Sequence, residues 1–427
     1  MKRAYINGNI LDGTENMEVQ KGKVILTDGE LITDIVDSSE DLAGYEIFDL
    51  KGKYIMPGLI NMHVHLAGNG KPQKKQRDNT KLVNLLFGNP ITPKIAYSVV
   101  AAFAKIELMS GVTTIRTVGG LRDYDTKIRD EIAKGKKDGP RILASNEGIS
   151  VPGGHMAGSV AIAAKSNEEA VELVRRAKKQ GVDFIKLMIT GGVMDAKEKG
   201  VPGELKMPAD MVKAACDEAH RLGLYVAAHV ESPEGVKTAL ENGVDSIEHG
   251  AKPDEEIIEL FKQSGAFVVT TLSPALPYAL FDRSVSNASE VEQFNGNVVF
   301  EGIKECAKAA LENNIPVALG NDVGCPWISQ YDFWRELVYY QKYVGVSSKL
   351  ALHTATLINA RLLGIDNITG SIEKGKCADM IVTSKNPLED LTTLRNVEAV
   401  VARGKLYKDP KVKRNKLLDT ELDKFLN

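Results

Sequence analysis

The chain has 427 residues, a formal net charge of -3 and 43% hydrophobic residues. This is an ordinary globular composition, and the length suits a large barrel with an accessory domain. The small net charge gives no reason to expect a nucleic-acid or membrane partner. No signal peptide is apparent, and the four cysteines include no C-x-x-C pair. We therefore expect a cytoplasmic protein with free thiols.

Short strand patterns at the two ends of the chain predict one accessory β domain. Runs at 4–6, 23–27 and 32–36 alternate with turn signals such as Asn7-Gly8, which favours a small antiparallel sheet. The same pattern returns at 380–383 and 397–402. We predict a β-sandwich domain assembled from residues 1–55 and 365–410, which encloses a main domain at 56–364. A charged tail or terminal helix follows at 411–427.

Eight short apolar runs in the main domain alternate with helical patterns, which is typical of a (β/α)8 TIM barrel. No G-x-G-x-x-G word follows the first run, which disfavours the alternative of an open doubly wound sheet. The segment 272–297 is longer than an ordinary barrel loop, so we expect it to be a functional loop. The predicted strands are 55–66, 112–118, 141–145, 183–190, 225–229, 246–249, 267–271 and 317–320.

Polar residues recur at the ends of these predicted strands, where the active sites of barrels lie. His63 and His65 share one face of the first strand because they are two residues apart. Any single histidine could be there by chance, but a lysine in an apolar strand is costly to bury without a partner. A carbamate on that lysine would be an anion able to bridge two cations. The whole set is His63, His65, Lys186, His229, His249 and Asp322.

Several sequence motifs indicate a family resemblance that spans nearly the whole chain. They include P-G-L-I-N-M-H-V-H, G-V-T-T-I-R, F-I-K-L-M-I-T-G-G and G-V-D-S-I-E-H-G. The chain resembles the amidohydrolase superfamily, in its binuclear subtype with a carboxylated lysine. Within it, the chain is similar to the branch that is related to imidazolonepropionase and Xaa-Pro dipeptidases. The resemblance implies that the six residues named above bind two divalent metal ions, which we expect to be Zn²⁺. We also expect a homo-oligomer.

Three positions depart from the pattern of this family. Thr117 stands where relatives commonly have an acidic residue, and the last strand ends in G-N-D-V-G instead of G-T-D-A-G. Glu231 stands where peptidase-like relatives often carry an aromatic or neutral polar residue. The substrate of any one relative therefore does not transfer safely to this chain.

We expect a hydrolase that cleaves an amide bond in a dipeptide or an N-acyl amino acid. A hydroxide that bridges two metal ions would attack, and Asp322 would pass its proton to the leaving nitrogen. One ion would be held by His63, His65 and Asp322. The other would be held by His229 and His249, and Lys186 would bridge the two.

Four further residues are candidates for binding the substrate. His155 lies in the glycine-rich word V-P-G-G-H-M, and Tyr278 and Arg283 lie in the long segment 272–297. Glu231, two residues beyond His229, either binds an amine or caps the helix that begins at S-P-E-G.

Two other functions remain open from the sequence. A cyclic-amide or imidazolone hydrolase, or a deaminase, is the first. Deaminases of this superfamily generally use one metal ion, lack the lysine and carry a glutamate where this chain has Ser232. A non-catalytic scaffold is the second, but such proteins usually lose metal ligands and this chain keeps all six.

Overall fold

The computed structural model describes residues 1–72 and 78–426 and contains nineteen strands within these ranges. In chain order they are β1 (Lys2–Ile6), β2 (Asn9–Ile10), β3 (Lys23–Asp28), β4 (Leu31–Asp37), β5 (Glu46–Asp49), β6 (Tyr54–Pro57), β7 (Leu59–Val64), β8 (Val112–Thr117), β9 (Arg141–Ala144), β10 (Gly148–Ser150), β11 (Ala161–Ala163), β12 (Phe184–Met188), β13 (Tyr225–Val230), β14 (Ser246–His249), β15 (Phe267–Thr270), β16 (Val317–Leu319), β17 (Met380–Thr383), β18 (Ala399–Ala402) and β19 (Lys405–Lys408).

The α-helices of the same ranges are α1 (Asn79–Leu86), α2 (Thr92–Met109), α3 (Tyr124–Ala133), α4 (Asn167–Lys179), α5 (Ala209–Arg221), α6 (Pro233–Glu241), α7 (Glu255–Ser264), α8 (Leu272–Leu280), α9 (Arg283–Ser286), α10 (Glu290–Glu312), α11 (Phe333–Tyr339), α12 (Ser348–His353), α13 (Asn359–Leu362) and α14 (Lys416–Leu422). Two π-helical turns, Tyr340–Val344 and Thr354–Ile358, and two 3₁₀ turns, Leu391–Arg395 and Asp423–Phe425, complete them. None of the helices described here is both long and apolar enough to cross a membrane.

Eight parallel strands form the predicted (β/α)8 barrel. Strands β7, β8 and β9 pair in sequence, and β12 to β16 pair in sequence within a second sheet. The two sheets meet on one side, where the Asp183 amide donates to the Ala144 carbonyl at 2.9 Å. On the other side the His65 amide donates to the Val323 carbonyl at 2.8 Å, next to β16. The carboxyl ends of all eight strands therefore share one mouth.

The accessory domain contains a four-stranded sheet (β4-β3-β1-β5) and a five-stranded sheet (β19-β18-β17-β6-β2), built from both ends of the chain. A shared apolar core that includes Tyr5, Ile25, Ile55 and Val382 joins the two sheets. The predicted small antiparallel sheet was too simple, because β1 pairs with β5 in parallel and β2 pairs with β6 in parallel. The strand β5 had no clear signal in the sequence.

The first predicted barrel strand, 55–66, is in fact two strands that belong to different domains. β6 pairs with β17 of the accessory domain, and β7 pairs with β8 of the barrel. Gly58 separates them, and a Cβ atom at this position would lie 2.2 Å from Oγ1 of Thr113. Only glycine allows this close approach between the chain and β8. The domain boundaries near residues 55 and 364 stay a prediction.

The segment 272–297 is mostly helical, so the prediction of a long loop was wrong. It contains α8, α9 and the first turns of α10. The α10 helix begins with a capping box, in which Ser289 and Glu292 bond each other's backbone amides. At the start of α8, the Glu336 carboxylate accepts hydrogen bonds from the amides of Leu272 and Ser273 at 2.5 and 2.9 Å. Because Glu336 is distant in sequence from α8, no local sequence pattern predicted the start of this helix.

The C-terminal segment is an ordered helix packed on the barrel, and only its last residue, 427, lies outside the described ranges. Arg335 of α11 is 1% exposed and forms ion pairs with Asp332, Asp419 and Asp423 at 3.1, 2.9 and 2.6 Å. The Phe425 ring stacks on Phe281 with ring centroids 5.3 Å apart. The tail is thereby tied to the end of α8.

Candidate metal centre

The structure gathers the six predicted ligands at the mouth of the barrel. Nε2 of His63 and Nε2 of His65 lie 3.5 and 3.4 Å from Oδ1 of Asp322. The His249 ring lies between those of His63 and His229, with centroid distances of 4.8 and 4.7 Å. His249 and Asp322 adopt left-handed backbone conformations, with φ of 70° and 58°. Such conformations are uncommon outside glycine and often mark functional positions.

A buried carboxylate fixes the orientation of His63, and the sequence did not single it out. Oε2 of Glu248 lies 2.7 Å from Nδ1 of His63, while Oε1 accepts a hydrogen bond from Arg116 at 2.5 Å. Glu248 is fully buried, and Arg116 also donates to the Met62 carbonyl at 2.8 Å. Because a carboxylate accepts the Nδ1 proton, the Nε2 lone pair of His63 is free to bind a cation. The sequence did carry one signal for this residue, because Glu248 is a charged residue within a short predicted barrel strand.

Backbone and hydroxyl groups orient the other three histidines. Nδ1 of His65 donates to the Gly119 carbonyl at 2.9 Å, and Nε2 of His229 donates to the Gly191 carbonyl at 3.2 Å. Nδ1 of His249 lies 2.7 Å from Oγ1 of Thr271. Since a carbonyl oxygen can only accept, the remaining ring nitrogens of His65 and His229 carry the free lone pairs.

The charge state of the cluster suits a divalent cation. Burial lowers the pKa of His65 and lowers the pKa values of His63, His229 and His249 well below the usual range, so these rings are neutral and able to ligate. Burial also lowers the pKa of Lys186 to about 8. Its Nζ atom and Oδ1 of Asp322 are buried without a hydrogen-bond partner in the described structure.

The donor atoms fit a metal centre by chemistry and by spacing. Ligand atoms of His63, His249 and Asp322 lie within 4.8 Å of one another, and so do those of His229, Glu231 and His249. Imidazole nitrogens and carboxylate oxygens are ligands that zinc and other divalent transition metals accept. His249 belongs to both groups, which places it between two candidate ion positions.

The segment that follows β12 contacts two side chains beside this cluster. Oδ2 of Asp195 accepts hydrogen bonds from His155 Nδ1 at 2.5 Å and from the Gly192 amide at 2.9 Å. The His155 ring stacks on His229, with centroids 4.0 Å apart and an angle of 7° between the planes. The Val193 amide donates to Oε2 of Glu231 at 3.1 Å. Two of the four predicted substrate-binding side chains, His155 and Glu231, therefore border the cluster.

Tyr278 and the thiol of Cys325 lie near Glu231 on another side of the mouth. Burial raises the pKa of Tyr278, and the nearby charges of Cys325, Glu292 and Glu231 add to the effect. Burial and the Asp322 carboxylate raise the pKa of Cys325 well above its ordinary value. Cys325 was not predicted as a site residue, although it follows Asp322 by only three positions.

Arg283 is not brought to this cluster in the described structure. It is exposed at the start of α9, and its Nε donates to the Ala288 carbonyl at 3.3 Å. Within the described residues, no contact between Arg283 and the cluster supports its predicted role in substrate binding.

Known proteins share the sequence pattern and the fold of this chain. A putative prolidase from Bifidobacterium longum has a crystal structure that is 35% identical, covers 99% of this chain and 98% of its own, and superposes with a TM-score of 0.87. An Xaa-Pro dipeptidase with methionine bound in its active site is 29% identical, with coverage of 96% and 100% and a TM-score of 0.82. Ochratoxinase from Aspergillus niger is 26% identical over 387 residues, which is 83% of this chain and 76% of that protein.

The family model described as "Amidohydrolase family" matches residues 54–407, a span that begins at β6 and includes the whole barrel. Together with the relatives above, this match makes the chain a hydrolase that acts on carbon–nitrogen bonds. The strand-end residues, the split accessory domain and the matched span lead to one conclusion: this chain belongs to the amidohydrolase family.

Proposed function

We propose that this protein is a metal-dependent hydrolase that cleaves the amide bond of a dipeptide, such as an Xaa-Pro dipeptide, or of an N-acyl amino acid. The observation that carries the proposal is Lys186, whose Nζ is buried without a hydrogen-bond partner among four histidines and Asp322. An unpaired ammonium at such a position is costly. Carboxylation of Nζ would replace the ammonium by an anionic oxygen ligand, whose charge bound divalent cations would balance.

The proposed metal ligands are His63, His65, Lys186, His229, His249 and Asp322, and the expected cofactor is a pair of Zn²⁺ ions. When bound, such ions would lower the pKa of water and polarise the scissile carbonyl. Asp322 would accept a proton at Oδ1 and deliver it to the leaving nitrogen, because that atom has no hydrogen bond from the described residues. Glu248 keeps His63 in the ligating tautomer by accepting its Nδ1 proton.

His155 would orient the substrate on the other side of the cluster. Asp195 accepts the Nδ1 proton of this ring, so Nε2 is the atom left for a substrate carbonyl or carboxylate. The stacking on His229 keeps the His155 ring beside the proposed ligands. The prolidase and the Xaa-Pro dipeptidase among the relatives favour a dipeptide over other amides.

Deamination is disfavoured by the contacts of Ser232. This residue stands at the position where deaminases of the superfamily carry their glutamate, and its hydroxyl accepts the Gly235 amide at the start of α6. It can therefore supply a helix cap but no carboxylate.

The test combines metal analysis with a substrate panel. We expect Zn²⁺-reconstituted protein to bind up to two ions per chain and to hydrolyse members of a library of Xaa-Pro dipeptides, other dipeptides and N-acyl amino acids. Lys186→Ala should lose both properties, and short-chain acids in the buffer should restore part of the activity. Lys178→Ala, which replaces an exposed lysine of α4, is the control and should leave metal binding and hydrolysis unchanged. Parent protein that binds no metal, or full activity of Lys186→Ala, would refute the proposal.

A further inference from the structure

The Glu231 carboxylate is held in place through only one of its two oxygens. Its Oε2 accepts the Val193 amide at 3.1 Å, and its own backbone amide donates to Oγ1 of Thr190 at 3.1 Å. Within the described ranges, Oε1 has no hydrogen bond from protein. The side chain is partly buried and is held by the segment after β12, and one of its carboxylate oxygens lies within 4.8 Å of ring nitrogens of His229 and His249.

Glu231 is not the cap of the helix that follows it. The Ser232 hydroxyl occupies that role, since it accepts the Gly235 amide at 3.2 Å, and Glu234 supplies the acidic residue of the first turn of α6. The Glu231 side chain instead turns toward the segment after β12. The helix therefore gives no reason for a carboxylate at this position.

No lysine or arginine of the described structure forms an ion pair with Glu231. The closest charged neighbours are acidic, namely Asp322 and Asp195, and His155 is already bonded to Asp195. Gly192 has no side chain, and a Cβ atom there would lie 3.2 Å from His155 and 3.5 Å from Glu231. The glycine thus leaves open the space between these two residues, at the side of the mouth where Tyr278 also lies.

We propose that Glu231 is the specificity residue of this site and that it binds a positively charged ammonium group of the substrate. A carboxylate with one free oxygen and an adjacent aromatic ring is suited to an ammonium ion. This inference rests on the proposed function, because it places the ammonium in the same mouth as the scissile amide. The ammonium comes from a free α-amine or from a basic side chain, and the experiment separates the two.

The experiment compares Zn²⁺-loaded parent and Glu231→Gln on two matched substrate pairs. The first pair is Ala-Pro and its N-acetyl derivative, which differ in the α-amine. The second pair is N-acetyl-lysyl-proline and N-acetyl-norleucyl-proline, which differ in the side-chain amine. Glu231→Gln should lose about 10- to 100-fold in kcat/KM on the charged member of one pair and about twofold or less on its neutral partner. Glu234→Gln, an exposed acid in the next turn, is the matched control and should lose nothing on either.

Binding of L-lysine, Nα-acetyl-lysine and Nε-acetyl-lysine, measured by calorimetry, gives a readout that needs no turnover. Selective loss of one ammonium-bearing probe in Glu231→Gln supports the inference even when no amide in the panel is cleaved. Equal loss on charged and neutral compounds overturns it while leaving the hydrolase function intact. A lower metal content in Glu231→Gln also overturns it, because Glu231 would then be a metal ligand. If the glutamine variant does not fold, Glu231→Ala should show the same selective loss.

Discussion

Replacing Lys186 with methionine should stabilise the metal-free protein at neutral pH while it abolishes binding of a metal pair. Burial lowers the pKa of Lys186 to about 8 from the usual 10.5. At about 1.36 kcal/mol per pKa unit, the charged lysine costs the metal-free fold about 3 kcal/mol. Methionine has a similar length and no charge, so it removes this cost. For a chain of this size, the gain corresponds to an increase of about 3 °C in Tm.

The gain should depend on pH in a defined direction. The folded-state pKa of Lys186 is lowered, so the cost is complete below pH 8 and disappears as the pH rises toward the unfolded value of 10.5. The assay is thermal unfolding of chelator-treated parent and Lys186→Met in bicarbonate-free buffer at pH 7 and pH 9.5. Lys178→Met on α4 is the control and should change stability by less than about 0.5 kcal/mol. A variant that is less stable than the parent at pH 7 would show that the Lys186 ammonium has a compensating partner.

Two further substitutions test the buried charges around the site. Glu248→Gln removes the carboxylate between His63 and Arg116, so metal affinity in a chelator competition should fall about 10- to 100-fold. Unchanged affinity would mean that Glu248 serves the fold alone. Arg335→Met leaves the buried Asp332 with the more distant Arg414, at 3.9 Å, as its remaining cation and should lower the free energy of unfolding by about 3 kcal/mol. Limited proteolysis should then cut the C-terminal segment first, and unchanged resistance would contradict its anchoring by Arg335.

The barrel and the six candidate ligands could be predicted because their signals are local. Two histidines at i and i+2 share a face of one strand, Lys186 lies within an apolar run, and the other three candidates stand at or next to the end of a run. A barrel brings all such strand ends to one mouth without knowledge of any particular contact. Spacing within one strand therefore placed His63 beside His65, and the barrel prediction brought Lys186 to the same mouth.

The contacts that orient these residues could not be predicted in the same way. Glu248 and Arg116 meet across the interior of the barrel, and 132 positions separate them in sequence. The α8 helix depends on Glu336, which is 64 positions from Leu272 and caps the helix start from another element. The break at Gly58 is likewise visible only when β8 is packed against the chain. Each of these features is decided by tertiary packing, and sequence periodicity carries no record of it.

The same distinction bears on how substrate preference arises in this family. The proposed metal ligands lie in barrel strands or, for His65 and Asp322, just beyond their ends, and the putative prolidase at 35% identity and the ochratoxinase at 26% identity share this family fold. The opposite wall of the mouth comes from four connecting segments, which carry His155, Gly192, Glu231 and Tyr278. Connecting segments tolerate change better than barrel strands do. Because relatives named for different substrates share one barrel, selectivity in this chain should depend on that wall. Glu231 has one carboxylate oxygen with no hydrogen bond from the described residues, and a change of charge at this position should alter substrate choice without moving the metal ligands.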